Sequence, residues 1–521
     1  MHHHQSSPTR YIPMMSRTSA SDQNLALYDQ LEQLAHYVKE SVVTGATIHQ
    51  VETGIWHRVL ELGHHALGLY LSLQGDGDIR ESLELENGEI VHRLPSLRRR
   101  EYQSVFGDFS LERSVYGSRE GQKIVCVPLD SRLQLPESKF SYLLQDWDQS
   151  LVVENPFAQV NATISRILGF KQSSDSLERM NRQMSEPVAA FEAVSPAPAL
   201  ASGEQIIVAS GDGKGVPIRH PADTSAIAEH RHQRGPKPNR KKMTTIGVVY
   251  TIDPRVRTPA EVLNSLFRHP TQEPPVTSSS QAMPQTKRVK ARLNLDSDDE
   301  CSFPRATDQV FEWIASQVQQ RQSNVSVPVI ALMDGQLSLW QAAQSYLPQS
   351  NYIEILDLLH VTSRVWSVAS LWCKPQSEEA IRVVKAYVSL ILQGKVKQVI
   401  TVWRLLVDSG GFKPKQRKLL KKVCQYFENN LHRMRYDQYL AAGYPIASGV
   451  IEGACRHFVK DRMERAGMQW TIQGTQAMLD VRSVALNDTW SEFNQFRIQR
   501  ETERLYPHRN LLDTIDWPFL A

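Results

Sequence analysis

Cysteine is scarce and scattered. The 521-residue chain holds five, Cys126, Cys301, Cys373, Cys424 and Cys455, and no two share a Cys-x-x-Cys spacing. That excludes a zinc ribbon and a disulfide-stapled scaffold, and it fits a reducing compartment. Long hydrophobic runs are missing too. Nothing approaches the roughly 18 apolar residues that a membrane span needs, and the N-terminus has no signal-peptide core. The expected location is the cytoplasm, with no membrane partner. Charge of one sign is also lacking. Lys and Arg total 59 against 56 Asp and Glu, a formal net charge of +3, so only local runs of charge are informative. What is present is an ordinary globular composition, 41% hydrophobic and 22% charged, in a length that calls for two or more domains.

Along the chain, residues 1–21 are polar and read as a disordered tail. Residues 22–75 read as a helical hairpin. Leu25, Leu27, Leu31, Leu34 and Val38 form one apolar stripe, Ile48, Val51, Ile55, Val59 and Leu62 a second, with a break at Thr44-Gly45. Strand-like segments follow over Tyr102–Val127. Ala158–Leu168, Gly169 and Ser174–Met184 then give helix, glycine turn, helix, the outline of a helix-turn-helix. On its second helix Arg179, Asn181, Arg182 and Gln183 have the chemistry to reach phosphates and base edges. Any two packed helices joined by a glycine share that outline. A Pro-, Ala- and Ser-rich linker over Glu186–Gly203 closes this half.

The second half alternates strands with helices, as an α/β domain does. Ile206-Ile207-Val208 is a short β-branched run that stops at Gly211-Asp212-Gly213-Lys214-Gly215. Asp-Gly is the commonest hairpin signal, so Asp212 reads either as a turn residue or as a carboxylate presented at a strand end. Thr244–Ile252 is a second strand. Val327–Met333 is a third, and it also ends in Asp-Gly, at Asp334-Gly335. Tyr352–Leu356 is a fourth, followed by Asp357 and His360. Residues 361–440 read as almost wholly helical. Their last helix is basic, with Lys413, Lys415, Arg417, Lys418, Lys421 and Lys422 in or just before it. A further helix, opening after Ser448-Gly449, carries Glu452 in its first turn and then Arg456, Lys460 and Arg462.

Three acids thus stand at element ends: Asp212, Asp334 and Glu452. Strand ends and helix starts meet along one edge of an α/β sheet. Carboxylates gathered there form a hard-oxygen site suited to Mg2+ or Mn2+. Two such ions can activate a water or a 3′-hydroxyl and stabilise the leaving oxygen of a phosphodiester. Arg456 and Lys460 follow Glu452 at one and two helical turns, where they clamp phosphates or form a solvated face.

Four segments carry a family resemblance: Asp-Gly-Lys-Gly-Val-Pro at 212–217, Leu-Met-Asp-Gly-Gln-Leu-Ser-Leu-Trp at 332–340, Ile-Leu-Asp-Leu-Leu-His-Val at 355–361, and Ser-Gly-Val-Ile-Glu-Gly-Ala-Cys-Arg-His-Phe-Val-Lys-Asp-Arg-Met-Glu at 448–464. Together they resemble the DDE transposases of bacterial insertion sequences, of the Kra type and more distantly Mutator-like, over roughly residues 100–490. The resemblance implies an α/β fold with an RNase H-like catalytic core, a mixed sheet flanked by helices. It implies a mainly helical N-terminal DNA-binding region over 76–200, core segments at 201–365 and 441–490, an exposed insertion at 268–304, a helical insertion at 366–440 and a tail at 491–521. By the match Asp212, Asp334 and Glu452 are the catalytic, metal-binding triad for Mg2+ or Mn2+, in all two ions. Asp357 and His360 fall where Mutator-like relatives carry a Cys/His pair, and Asp357 is the rival for second acid because it too follows an apolar strand.

The function so implied is binding of double-stranded DNA at element ends, then phosphodiester hydrolysis and strand transfer, by a homo-oligomer. The expected DNA contacts are Lys214, Arg179, Arg182, Arg456, Lys460 and Arg462. An inactive transposase-derived DNA-binding regulator and an RNase H-like nuclease are the competing readings. A paired-carboxylate glycosidase would leave the basic stretches unexplained.

Overall fold

The computed structural model describes residues 20–85, 87–118, 124–219, 241–268, 283–295, 305–322, 326–347, 352–409 and 411–513. The chain divides into two compact units, residues 1–187 with 490–521, and residues 188–489.

The first unit opens with two antiparallel-spaced helices, Ala20–Val43 and Ile48–Leu73. Thr47 and Gln50 form a capping box at the start of the second, satisfying two otherwise orphaned N–H groups. Short strands follow: β1 (Ser82–Glu84), β2 (Ile90–Arg93), β3 (Arg98–Ser104), β4 (Gly107–Arg113) and β5 (Tyr116–Gly117). β3 and β4 pair as a hairpin, and β1, β2 and β5 form a small sheet. Helices Tyr142–Val152, Phe157–Leu168 and Ser174–Ser185 bury Leu144, Val152, Val160, Ile164, Leu168, Leu177, Met180 and Met184. Of residues 491–521, read from sequence as a tail, those described, up to Asp513, instead lie mostly in helices Trp490–Leu505 and Arg509–Asp513, and 514–521 fall outside the described residues. Trp490 donates its indole N–H to Asp146 (2.6 Å), and Arg497 Nη1 bonds Gln145 (3.0 Å).

The second unit is a mixed α/β structure built on five strands: β6 (Ile206–Pro217), β7 (Lys241–Ile252), β8 (Gln285–Leu293), β9 (Val329–Met333) and β10 (Tyr352–Leu356). Their order across the sheet is β10-β9-β6-β7-β8. β6, β7 and β8 are antiparallel neighbours, whereas β9 and β10 run parallel to β6. β9 is buried along its whole length, as a central parallel strand must be.

Two expectations need correction here. The segment 268–304 is not simply an exposed insertion: β8 lies inside it and forms the outer strand of the main sheet. Residues 269–282 and 296–304 fall outside the described residues. Nor does β6 stop before Asp212. It continues through Gly211–Gly215 to Pro217, paired residue by residue with β7. None of Gly211, Gly213 and Gly215 has a positive φ, so they do not turn the chain. They answer to space: a Cβ on Gly211 would meet the Phe311 ring at 3.1 Å.

Helix Ala306–Arg321 packs on β6, β7 and β8 on the face toward which Gly211 and Gly247 point. Successive strand residues face opposite ways, so Asp212 and Lys214 face the other side. There the segment Gly449–Lys460 packs against β6. On the outer edge of β10, Tyr436 and Tyr439 donate their hydroxyls to the carbonyls of Leu356 (2.7 Å) and Glu354 (3.0 Å). Capping edge carbonyls in this way removes a template for unwanted strand pairing. The tyrosines come from the helical segment that also holds Glu378–Leu392, Val396–Asp408 and Pro414–Asn429. Among the described residues, no helix is long and apolar enough to cross a membrane.

Candidate functional site

Strand register aligns the acids. β6 pairs with β9 at Ala209↔Ala331, and β9 with β10 at Met333↔Leu356. Asp212 and Asp334 each lie three residues past the Ala209↔Ala331 pair. Asp334 and Asp357 each lie one residue past the Met333↔Leu356 pair. Three carboxyl residues therefore form one row across three adjacent strands, at the C-terminal end of the parallel pair, where α/β sheets gather their ligands. Glu452 reaches the same place from the helix Gly449–Ala454.

Asp334 begins the loop after β9. Its Oδ1 accepts from Gln336 N (2.9 Å), and its carbonyl accepts from Trp340 Nε1 (2.6 Å). Gly335 is required beside it because a Cβ there would fall 2.2 Å from the Tyr426 ring. Asp212 lies on β6 with its Oδ2 accepting from the Cys455 thiol at 3.1 Å. Glu452 is exposed at the start of its helix. Directly after it, Cys455–Lys460 is a π-helical stretch. Such insertions are rare and concentrate at functional sites.

Asp357 differs from its neighbours. It is 0% exposed and caps helix Leu358–Ala369. Its Oδ1 accepts from Leu359 N (3.2 Å) and Ser448 N (2.8 Å), and its Oδ2 from His360 N (3.2 Å) and His360 Nδ1 (2.5 Å). Four donors fill the roughly four lone-pair sites of a carboxylate. Ligand atoms of Asp357, His360 and Glu452 do lie within 4.8 Å of one another, a spacing that could hold a cation. A cation on Asp357 would nevertheless have to displace one of those four donors. The geometry fits better with Asp357 orienting His360, whose Nδ1 carries the proton and whose Nε2 is left for another partner.

The electrostatics separate the same groups. Burial pushes the Asp334 carboxyl up; the Gln336 N–H offsets part of this, and the charges of Asp212 and Asp357 push it further. Partial desolvation, despite its exposure, also raises Glu452, with Asp357 and Asp212 adding to it and His360 opposing. For Asp357 burial pushes upward, but the His360 and Ser448 hydrogen bonds outweigh it and hold the carboxyl below its ordinary value. His360 is raised, chiefly by its bond to Asp357. Burial and the Asp212 charge raise Cys455, so it stays a thiol and a donor. The Asp212 charge thus pushes up both Asp334 and Glu452, an effect that a divalent cation would relieve.

The expected DNA contacts divide. Lys214 shares the Asp212 face of β6. Arg456 and Lys460 are exposed, Arg456 facing Asp461 at 3.8 Å. Arg462 is not available as expected: it is 1% exposed, its guanidinium 4.9 Å from the Trp470 ring centre. Two residues past Lys460, it falls on the opposite side of the helix from Arg456 and Lys460. In the first unit Gly169, at φ +81°, joins helices Phe157–Leu168 and Ser174–Ser185. Arg179 is exposed on the second of these, whereas Arg182 pairs with Glu178. Asn181 is 2% exposed and bonded to Gln149 (2.9 Å), so it cannot read a base.

Two residues at the site escaped sequence reasoning. Cys455 carries a usable signal, since it stands three residues after Glu452 on the same helical face. Tyr426 carries none: its ring reaches Gly335 only through the packing of a helix some 90 residues later in the chain. No protein-family model matches the chain, and no curated protein sequence matches it.

Proposed function

We propose that the protein is a transposase of the DDE type, with an RNase H-like core, that cleaves and rejoins DNA phosphodiesters using Asp212, Asp334 and Glu452. The observation that carries this reading is that Asp212 and Asp334 each follow the last β6–β9 pair, Ala209↔Ala331, by three residues, with Glu452 brought to the Asp212 side of β6 by a helix. A sheet with three antiparallel strands followed by two parallel to the first supports the RNase H-like assignment. The donor set supports Mg2+ or Mn2+, since it offers hard oxygens and Asp212 raises both Asp334 and Glu452.

Asp212, Asp334 and Glu452 would hold the divalent ions. When bound, these supply Lewis acidity to the attacking water or 3′-hydroxyl and to the leaving oxygen. The chain's own groups do the rest. Cys455 fixes the Asp212 carboxylate by its thiol bond. Lys214, two residues along the same face, offers an ammonium to a phosphate oxygen. Asp357 holds the His360 ring in one orientation with its proton on Nδ1, which leaves Nε2 as the free acceptor. Arg456 and Lys460 extend the positive surface along the substrate backbone. Handling two DNA ends calls for at least a dimer on DNA.

The test incubates the purified chain with labelled duplex from the ends of its genetic element and Mg2+. Cleavage by the wild type, lost with chelator and lost in Asp212→Asn, Asp334→Asn and Glu452→Gln while binding persists, supports the proposal. Binding without cleavage under every metal condition favours the DNA-binding regulator instead.

A further inference from the structure

The helix Pro414–Asn429 has two unlike faces. Leu420, Val423, Cys424 and Phe427 are buried. Lys415, Lys418, Lys421, Lys422 and Gln425 are exposed. A shallow, open groove of about 440 Å3 lies on that exposed side, formed by Pro414, Arg417, Lys418, Lys421, Lys422 and Gln425 of this one helix, with no carboxylate among them. Among the described residues Lys418, Lys421 and Lys422 form no ion pair. The acid on this helix, Glu428, is held by Arg404 through two bonds of 3.0 and 2.7 Å.

Folding does not account for this arrangement. The first turns of a helix carry partial positive charge, so cations there are unfavourable and acids are preferred. This helix has no acid in its first turn and carries Lys415, Arg417 and Lys418 near that end. What gains from such a placement is an anion. The groove also has a direction. Lys422 lies one turn, about 6 Å, before Tyr426 on the same face. The Tyr426 ring lies against Gly335, next to Asp334. A chain of phosphates following the lysines toward the C-terminal end of the helix therefore arrives at the acid row.

We propose that the groove along Pro414–Asn429 is a DNA-backbone track, with Lys418, Lys421 and Lys422 seating the phosphates of the strand that enters the acid site. This rests on the phosphodiester reading of that site, and the two can fail separately.

The test measures affinity of the full chain for a labelled DNA duplex of random sequence across a salt series, with chelator present so that nothing is cut. The triple variant Lys418→Gln, Lys421→Gln, Lys422→Gln is compared with the wild type and with a triple Lys→Arg variant. Each phosphate contact contributes about 0.9 to the slope of log K against log salt. The Gln variant should lose about 2–3 of that slope and bind tenfold or more weakly at low salt, while the Arg variant keeps the wild-type slope. An unchanged slope in the Gln variant, with both proteins melting alike, overturns the track and leaves the acid-site reading standing. A lowered slope in a chain that never cuts DNA supports the track while removing the catalytic reading. Failure of the wild type to bind DNA overturns both.

Discussion

Asp334 and Asp357 end neighbouring parallel strands in the same register, yet their surroundings are opposite. Asp357 is sealed from solvent, has every lone pair engaged and is held ionised by its donors. Asp334 has one backbone donor on its carboxylate and is pushed toward protonation by burial and nearby acids. The difference teaches how position in a sheet and chemical role separate. A carboxylate whose acceptors are filled holds the fold together, and one left short of partners is available to a ligand. The same contrast divides Asp357 from Asp212 and Glu452.

The largest expected effect lies on the unsatisfied side. Asp212→Asn, Asp334→Asn and Glu452→Gln should each lower cleavage at least a thousandfold, the scale on which metal and electrostatic contributions act. Their melting temperatures should hold or rise slightly, since each removes a repulsion. A variant that unfolds instead would place that acid with Asp357.

Asp148, in the first unit, sharpens the comparison by showing burial with almost no compensation. It is 0% exposed, and neither oxygen has a hydrogen bond of normal geometry; Gln172 beside it offsets little. Burial raises its carboxyl from 3.8 to about 7. Between those values the folded state binds one more proton than the unfolded state, so stability falls as pH rises and the loss is complete above about pH 7. At 1.36 kcal/mol per pH unit this amounts to about 4 kcal/mol. Asp148→Asn should remove that slope, matching the wild type near pH 4 and exceeding it by about that amount near pH 8. Denaturant midpoints across the range check this, and a constant difference between the two proteins contradicts it.

Asp357→Ala should cost about 2–4 kcal/mol, because it removes a helix cap and strands the buried Ser448 N–H. Urea unfolding measures it, and a loss of activity without loss of stability would return Asp357 to the catalytic set. The smallest effect is at Gly335→Ala, about 1–3 kcal/mol from overpacking against Tyr426. Adding Tyr426→Ala should recover part of that loss, which a double-mutant cycle reads directly.

Much of this arrangement was legible in the chain. β-branched runs marked β6, β7, β9 and β10, because buried strands need them, and the Asp-Gly endings singled out Asp212 and Asp334. What the pattern obscured has physical causes. Gly211–Gly215 read as a hairpin signal, yet the pairing with β7 carries the strand through, since long-range ladder bonds override a local turn preference. β8 was hidden by its charge: Lys287, Arg288, Lys290 and Arg292 give it the look of a loop. Two of them find partly buried acids, Lys290 with Glu192 and Arg292 with Asp480. Arg462 was assigned by charge alone, although at two residues past Lys460 it turns to the buried side of its helix. The engagement of Asp357 was out of reach, because its key donor, Ser448 N, comes from 91 residues away.

Binding of Mn2+ to the chain without DNA, followed by titration calorimetry at fixed pH, tests the central claim most directly. The wild type and Asp357→Asn should bind the ion, and Asp212→Asn and Asp334→Asn should lose at least tenfold in affinity. Retained binding in Asp334→Asn with loss in Asp357→Asn would contradict the account and move the metal to Asp357, His360 and Glu452.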